Sequence, residues 1–164
     1  MKKIVIAAVL LAVIAVQSGG QTRAYYLELL GPSTFAGLWC DSRFSGNSGF
    51  GYGAGIAFVP GQTDDIGRWT SGTWSLGLPV AVNYLFGRGN GHIEAGAGIH
   101  NSLMKKTDKK LYWGYYLFVV AGYRYQAPGG FLFRAGLSPN FHFGDSRGIT
   151  KRNFYPYMAF GWAF

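Results

Sequence analysis

From Gly49 to Val59 the chain alternates: Phe50, Tyr52, Ala54, Ile56 and Phe58 fall on one side of an extended backbone, and Gly51, Gly53, Gly55 and Ala57 fall on the other. A period of two is the mark of a β-strand, and here one face is greasy while the other is nearly bare. The pattern returns in Trp74–Gly87, where Leu76, Leu78, Val80, Val82, Tyr84 and Phe86 oppose Ser75, Gly77, Ala81 and Asn83. In Gly91–Leu103, Ile93, Ala95, Ala97 and Ile99 oppose His92, Glu94, Gly96, Gly98 and His100. Phe131, Phe133, Ala135 and Leu137 likewise oppose Arg134, Gly136 and Ser138. The stretch Phe154–Phe164 sets Met158, Phe160, Trp162 and Phe164 against Tyr155, Tyr157, Ala159, Gly161 and Ala163. No segment beyond residue 24 keeps a 3.6-residue period or is long and apolar enough for a transmembrane helix.

Tyr25–Leu30, Phe35–Phe44 and Leu111–Tyr125 complete a set of eight strands, the last of these apolar on both faces for part of its length. About ten residues is what a tilted strand needs to cross the hydrocarbon core of a bilayer. The connections alternate too. Ser45–Ser48, Gly87–Asn90 and Gln126–Gly129 are tight and rich in Gly, Asn, Ser or Pro, as hairpin turns require. Pro60–Thr73, Met104–Lys110 and Pro139–Asn153 are longer and carry most of the charge, and only Gly31–Thr34 is short on the long side. Up-and-down membrane barrels have this arrangement, with short turns and both termini on one side of the bilayer and long loops on the other.

The first twenty residues read as a separate object. Lys2 and Lys3 precede an apolar run of thirteen residues, Ile4–Val16, too short to span a bilayer as a helix, and small residues follow at Ser18–Gly20. This is the form of an export signal peptide over residues 1–20, with cleavage between 17 and 24, followed by one barrel domain over 21–164. The only cysteine, Cys40, lies well downstream of the apolar run, so neither a lipid anchor nor an internal disulfide is indicated. An exported chain of this size without disulfides needs another source of stability, and a closed sheet in a membrane supplies one. Charged residues make up only 13% of the sequence, about half the usual share for a soluble domain. Once Lys2 and Lys3 are gone, thirteen Lys and Arg face seven Asp and Glu, a net charge of +6. Export argues against nucleic acid as the partner of that charge.

In five strands the large apolar residues share one phase. The opposite phase collects Glu28, Glu94, Arg124, Arg134, Asn83, His92 and His100, together with Asp41 and Arg43. Ionised groups in the core of a soluble, lipocalin-type barrel would be costly unless every one were paired, whereas the lumen of a small membrane barrel holds such a network with water. The expected fold is therefore all-β: an eight-stranded antiparallel up-and-down transmembrane β-barrel, apolar outside, its lumen lined by Glu28, Asp41, Arg43, Asn83, His92, Glu94, Arg124 and Arg134. Eight strands leave an interior only wide enough for side chains, so inward glycines make room for the long arginines. Trp39, Trp69, Trp74, Trp113, Tyr123, Tyr125 and Trp162 fall near strand ends, where a headgroup-level aromatic belt belongs.

The alternation Met158, Phe160, Trp162, Phe164, closing on an aromatic, resembles the C-terminal signal by which outer-membrane barrels are read by their assembly machinery. With it, the region after the leader resembles the small barrel family that includes the OmpA membrane domain and OmpX, and its Gly-rich strands resemble Bacteroidetes examples. The resemblance implies a Gram-negative outer-membrane barrel with a plugged, water-containing lumen, inserted by the barrel assembly machinery. Members range from structural proteins to adhesins and enzymes, so fold leaves function open.

Some eight-stranded outer-membrane barrels are lipid A enzymes, among them a deacylase with a His-x-Ser-Asn segment in its penultimate strand and a carboxylate from the last. Here the penultimate strand reads Arg134, Ala135, Gly136, Leu137, Ser138, Pro139, Asn140, without a histidine, and the last strand has no acid. His100 and Ser102 share a face near the outer end of the fifth strand but show no third member. His142, Asp145 and Ser146 are neighbours in the last outer loop, which does not set a triad's geometry. Three histidines and one cysteine lack ligand spacing, so no metal and no cofactor is expected, and the Gly-x-Gly repeats are strand faces rather than phosphate loops.

Two outer loops are basic, one with Lys105, Lys106, Lys109 and Lys110 and the other with Arg147, Lys151 and Arg152. They would lie at the level of lipopolysaccharide phosphates, either docking anionic headgroups or keeping the loops solvated. The residues thus point to a non-enzymatic outer-membrane barrel with a structural or surface-interaction role. The alternatives are an outer-membrane enzyme acting on lipid A or phospholipid, and a soluble periplasmic barrel holding an apolar ligand.

Overall fold

The computed structural model describes residues 23–63, 69–70, 73–105, 110–142 and 154–164. Eight of its strands are long: β1 Arg23–Leu30, β2 Ala36–Arg43, β3 Gly49–Val59, β6 Trp74–Phe86, β7 Gly91–Lys105, β8 Leu111–Gln126, β9 Phe131–His142 and β10 Phe154–Ala163. Two short ones, β4 Gln62–Thr63 and β5 Trp69–Thr70, pair as a small hairpin inside the connection read from the sequence as loop. The eight long strands close into a barrel in the order β1-β10-β9-β8-β7-β6-β3-β2, every neighbouring pair antiparallel. Closure removes every sheet edge, which an open sheet of this hydrophobicity could not leave unpaired. The seam is β1 with β10, where Phe164 donates its backbone N–H to Arg23 at 2.7 Å and Arg23 returns one at 3.3 Å.

Phase decides which way each residue faces. Leu38, Phe50, Ile56, Val82, Ile93 and Trp113 point outward and are between 59% and 67% exposed. The bare phase turns in, and a Cβ shows why it must be bare: at Gly77 it would overlap the His100 ring, and at Gly55 it would lie 2.9 Å from the Trp39 ring. The tight turn before β9 makes a similar demand. Gly130 has φ +99°, and a Cβ there would strike the Trp162 indole.

Alternation runs further than the strand ends read from the sequence. It carries β9 through Pro139 to His142 and β7 through Met104 to Lys105, because Phe141 continues the outward apolar phase while Asn140 and Met104 continue the inward one. Pairing is interrupted twice. The β3–β6 register passes from Ala54↔Val80 to Ala57↔Gly77, and the β8–β9 register from Phe118↔Asn140 to Ala121↔Leu137. Each gap contains a proline, Pro79 or Pro139, which has no N–H to give the ladder.

The first connection departs most from expectation. Gly31–Ser33 forms one turn of 3-10 helix, η1, with all three residues buried. Instead of projecting beyond the strand ends it folds inward and meets β3, β6, β8, β9 and β10 as well as β1. Leu30 and Thr34 flank it at φ 61° and 66°, a region that residues with side chains rarely adopt. Contacts inside the barrel hold the turn against that cost.

Candidate functional site

The interior has two levels. Near the end that carries Arg23 and Phe164, three acids meet three arginines. Arg134 forks onto Glu94, with Nε and Nη2 both donating at 2.8 Å, and reaches Glu28 at 3.3 Å. Arg43 donates to Asp41 at 2.7 Å, and Arg124 lies 3.1 Å from the other Asp41 oxygen. Asn83 joins the halves: its amide donates to Glu94 at 2.7 Å and to Asp41 at 3.1 Å, and its oxygen accepts from Arg43 at 2.5 Å. These ion-paired side chains are at most 4% exposed. The paired charges cancel, three against three, as buried charges must if their desolvation is to be offset. Arg134 also lies 4.5 Å from the centre of the Tyr26 ring, a cation–π contact in a dry setting.

The second level is built around η1. Ser33 donates to Glu28 at 2.7 Å and accepts from the Trp39 indole at 2.9 Å, which ties the turn to the ionic layer. Across the barrel, the Pro32 carbonyl accepts from His100 Nδ1 at 2.6 Å and from Tyr116 at 3.1 Å, and the Thr34 hydroxyl lies 2.9 Å from Tyr116. His100 stacks on Tyr116 with ring centres 4.8 Å apart and planes 12° from parallel. Between the levels a void of about 10 Å³ touches Tyr26, Glu28, Asp41, Asn83 and Arg134, room for about one water.

No protein-family model and no curated protein sequence matches the chain. Its fold does have a match. The N-terminal β-barrel domain of Pseudomonas aeruginosa OprF superposes with a TM-score of 0.59 at 10% identity, covering 90% of this chain and 100% of that one. The chain has the OprF-type eight-stranded barrel fold.

Within this OprF-type barrel the polar residues singled out by phase are at different degrees of engagement. Glu28, Asp41, Arg43, Asn83, Glu94, Arg124 and Arg134 are brought together as described. His92 is buried beside Arg124 across the β7–β8 register, outside the ion-paired network. His100 and Ser102 face inward, but the Ser102 hydroxyl has no hydrogen-bond partner and His100 is committed to Pro32. His142 packs on Tyr116 with ring centres 5.5 Å apart; Asp145 and Ser146 lie outside the described residues. Among the described residues no group of three His, Cys, Asp or Glu is placed to hold a metal. Lys105 ends β7 half-buried and Lys110 is exposed before β8, while Lys106, Lys109, Arg147, Lys151, Arg152 and residues 1–22, which include the expected signal peptide over 1–20, lie outside the described residues. Met158, Phe160, Trp162 and Phe164 form one outward stripe on β10 and beyond.

One aromatic assignment needs correction. Trp39 does not join an outward belt; it is 4% exposed and points inward to Ser33, stacked on Tyr26 at 6.1 Å. It shares the phase of Asp41 and Arg43, so parity alone places it. Pro32, Ser33 and Thr34 carried no such signal, because a turn has no period and Gly-Pro-Ser reads as an ordinary loop.

Proposed function

We propose that the chain is an outer-membrane barrel whose lumen is plugged at two levels, by the Arg134 layer and by η1, and that its role is structural or surface-interacting rather than conductive or catalytic. The observation that carries this reading is the difference between the two phases: bulky apolar side chains cover the outside, while the inside combines the layer of three acids and three arginines with aromatic side chains such as Tyr26, Trp39, Tyr116 and Phe118. The apolar outer wall suits hydrocarbon as the outer solvent and opposes a soluble ligand-binding barrel, which would not present so many large apolar side chains to water. The OprF barrel offers a fold precedent. Lys105 and Lys110, at the end of the barrel opposite Arg23 and Phe164, favour contact with lipopolysaccharide phosphates, each contributing up to about 1 kcal/mol near an anionic surface. The β10 stripe Met158, Phe160, Trp162, Phe164 is the segment the assembly machinery would read.

Detergent extracts of outer membranes, run on denaturing gels with and without boiling, test the placement: a heat-dependent mobility shift is expected. Recovery in the soluble periplasmic fraction would overturn it. Plugging is tested in planar bilayers, where no steady conductance is expected; an open channel from the unmodified protein would replace the plugged reading with a porin-like one. Incubation with lipid A and phospholipid should leave all acyl chains attached.

A further inference from the structure

The outer wall is not uniformly bulky. Midway along β7 the outward residues are Ala95 and Ala97, and Ala121 of β8 stands opposite Ala95. Over Ala97 and Gly98 lies an open, almost wholly apolar groove of about 500 Å³, walled by Val82, Ile99, Leu117 and Phe141. Gly98 lies in the floor of the groove, and on its inner side the space a Cβ would take is filled by the Phe118 ring.

Followed toward the end of the barrel opposite Arg23 and Phe164, the outward stripe of β7 passes from Ala97 through Ile99, Asn101 and Leu103 to Lys105. Lys105 lies eight residue steps beyond Ala97. At about 3.3 Å each, on a strand tilted about 40°, they put the lysine about 20 Å above Ala97 along the membrane normal. One leaflet of hydrocarbon is about 15 Å deep. The hollow therefore lies near the bilayer midplane and the cation at headgroup level, one lipid apart.

We propose that this groove is a binding site for one lipid of the leaflet on the Lys105 side, with a phosphate headgroup of net negative charge at Lys105 and an acyl chain running down the β7 stripe into the hollow over Ala97 and Gly98. The proposal rests on the outer-membrane reading above. Charge complementarity selects the phosphate, and shape selects the chain: a second barrel presents a convex wall that could not enter a hollow flanked by Ile99, Leu117 and Phe141, whereas a methylene chain can.

Native mass spectrometry tests it, on protein released from nanodiscs holding equal phosphatidylglycerol and phosphatidylcholine. The unmodified protein should retain one phosphatidylglycerol. Ala97→Phe, which fills the hollow, should lower that retention at least tenfold, and Lys105→Gln should abolish the preference for phosphatidylglycerol over phosphatidylcholine. Unchanged retention by Ala97→Phe overturns the site, as does a dimer of the unmodified protein that Ala97→Phe dissolves, which gives the groove to a second copy. Both variants are checked for the heat-dependent gel shift, and Ala97→Leu replaces Ala97→Phe if the latter does not fold. Failure of the underlying reading looks different: a protein soluble without detergent never enters the nanodisc, and the lipid site falls with it.

Discussion

Arg134 touches both Glu94 and Glu28, so removing it leaves two buried carboxylates facing each other without a cation. Arg134→Met should cost about 3–5 kcal/mol of stability, because an uncompensated buried charge is worse than an absent pair. Glu28→Gln should cost less, since its link to Arg134 is single and long at 3.3 Å while the Glu94 fork survives. Urea unfolding of the barrel reconstituted in vesicles measures both. Ser33→Ala strands the Trp39 indole N–H and one Glu28 oxygen, and should cost about 2–4 kcal/mol in the same titration. The inward position of Arg134 was legible because charge and parity agree there. Its partners were not. Glu94 lies 40 residues away in sequence, and only the strand register decides that they meet. Asn83 shows the same limit: parity turns it inward, but nothing local says that its amide will stand between two acids.

Among the elements, the strands were legible to within a few residues, since an alternation of eight or more positions outweighs any local propensity. What escaped was the meaning of the prolines and of the first connection. Pro79 and Pro139 sit in strands that alternate normally, and their effect is felt only by the neighbour that loses a donor. The η1 turn reads as a surface loop because its burial depends on groups far along the chain. Replacing Gly31–Thr34 by Asn-Gly would leave His100 Nδ1–H and the Tyr116 hydroxyl without the Pro32 carbonyl. Such a variant should remain a heat-modifiable barrel, be less stable than Ser33→Ala because it loses the Ser33 bonds as well as the Pro32 carbonyl, and still pass no steady current, because the Arg134 layer persists. Current through it would mean that η1 alone blocks the interior.

For the whole molecule, the decisive property is what solvates the outside. In a bilayer the penalty for an outward cation depends on depth, about 2–4 kcal/mol at the midplane and 0–1 kcal/mol near an interface. Val82 pairs with Ala97 in mid-strand and Phe86 ends β6 at the turn, so Val82→Lys should destabilise far more than Phe86→Lys. Equal, small effects in vesicle-based unfolding would place the barrel in water. Barrel class was legible from composition and phase together; the occupant of the interior was legible only in part, because parity turned the ionic residues inward and left η1 unannounced.

The grip on the Pro32 carbonyl also imposes a chronology. Its donors, His100 and Tyr116, come 68 and 84 residues later in the chain. The β1–β2 hairpin therefore cannot reach its final form when it is first made; its tip has no partner until the opposite wall exists. Contacts of such separation are slow to form. A chain arrested after its early hairpins would hold an unanchored tip with Leu30 and Thr34 free to leave their strained backbone conformation. Capture of the Pro32 carbonyl by His100 and Tyr116 should therefore follow formation of the β1–β2 hairpin in refolding, and a Tyr116→Phe variant should slow that later phase while leaving the earlier one unchanged.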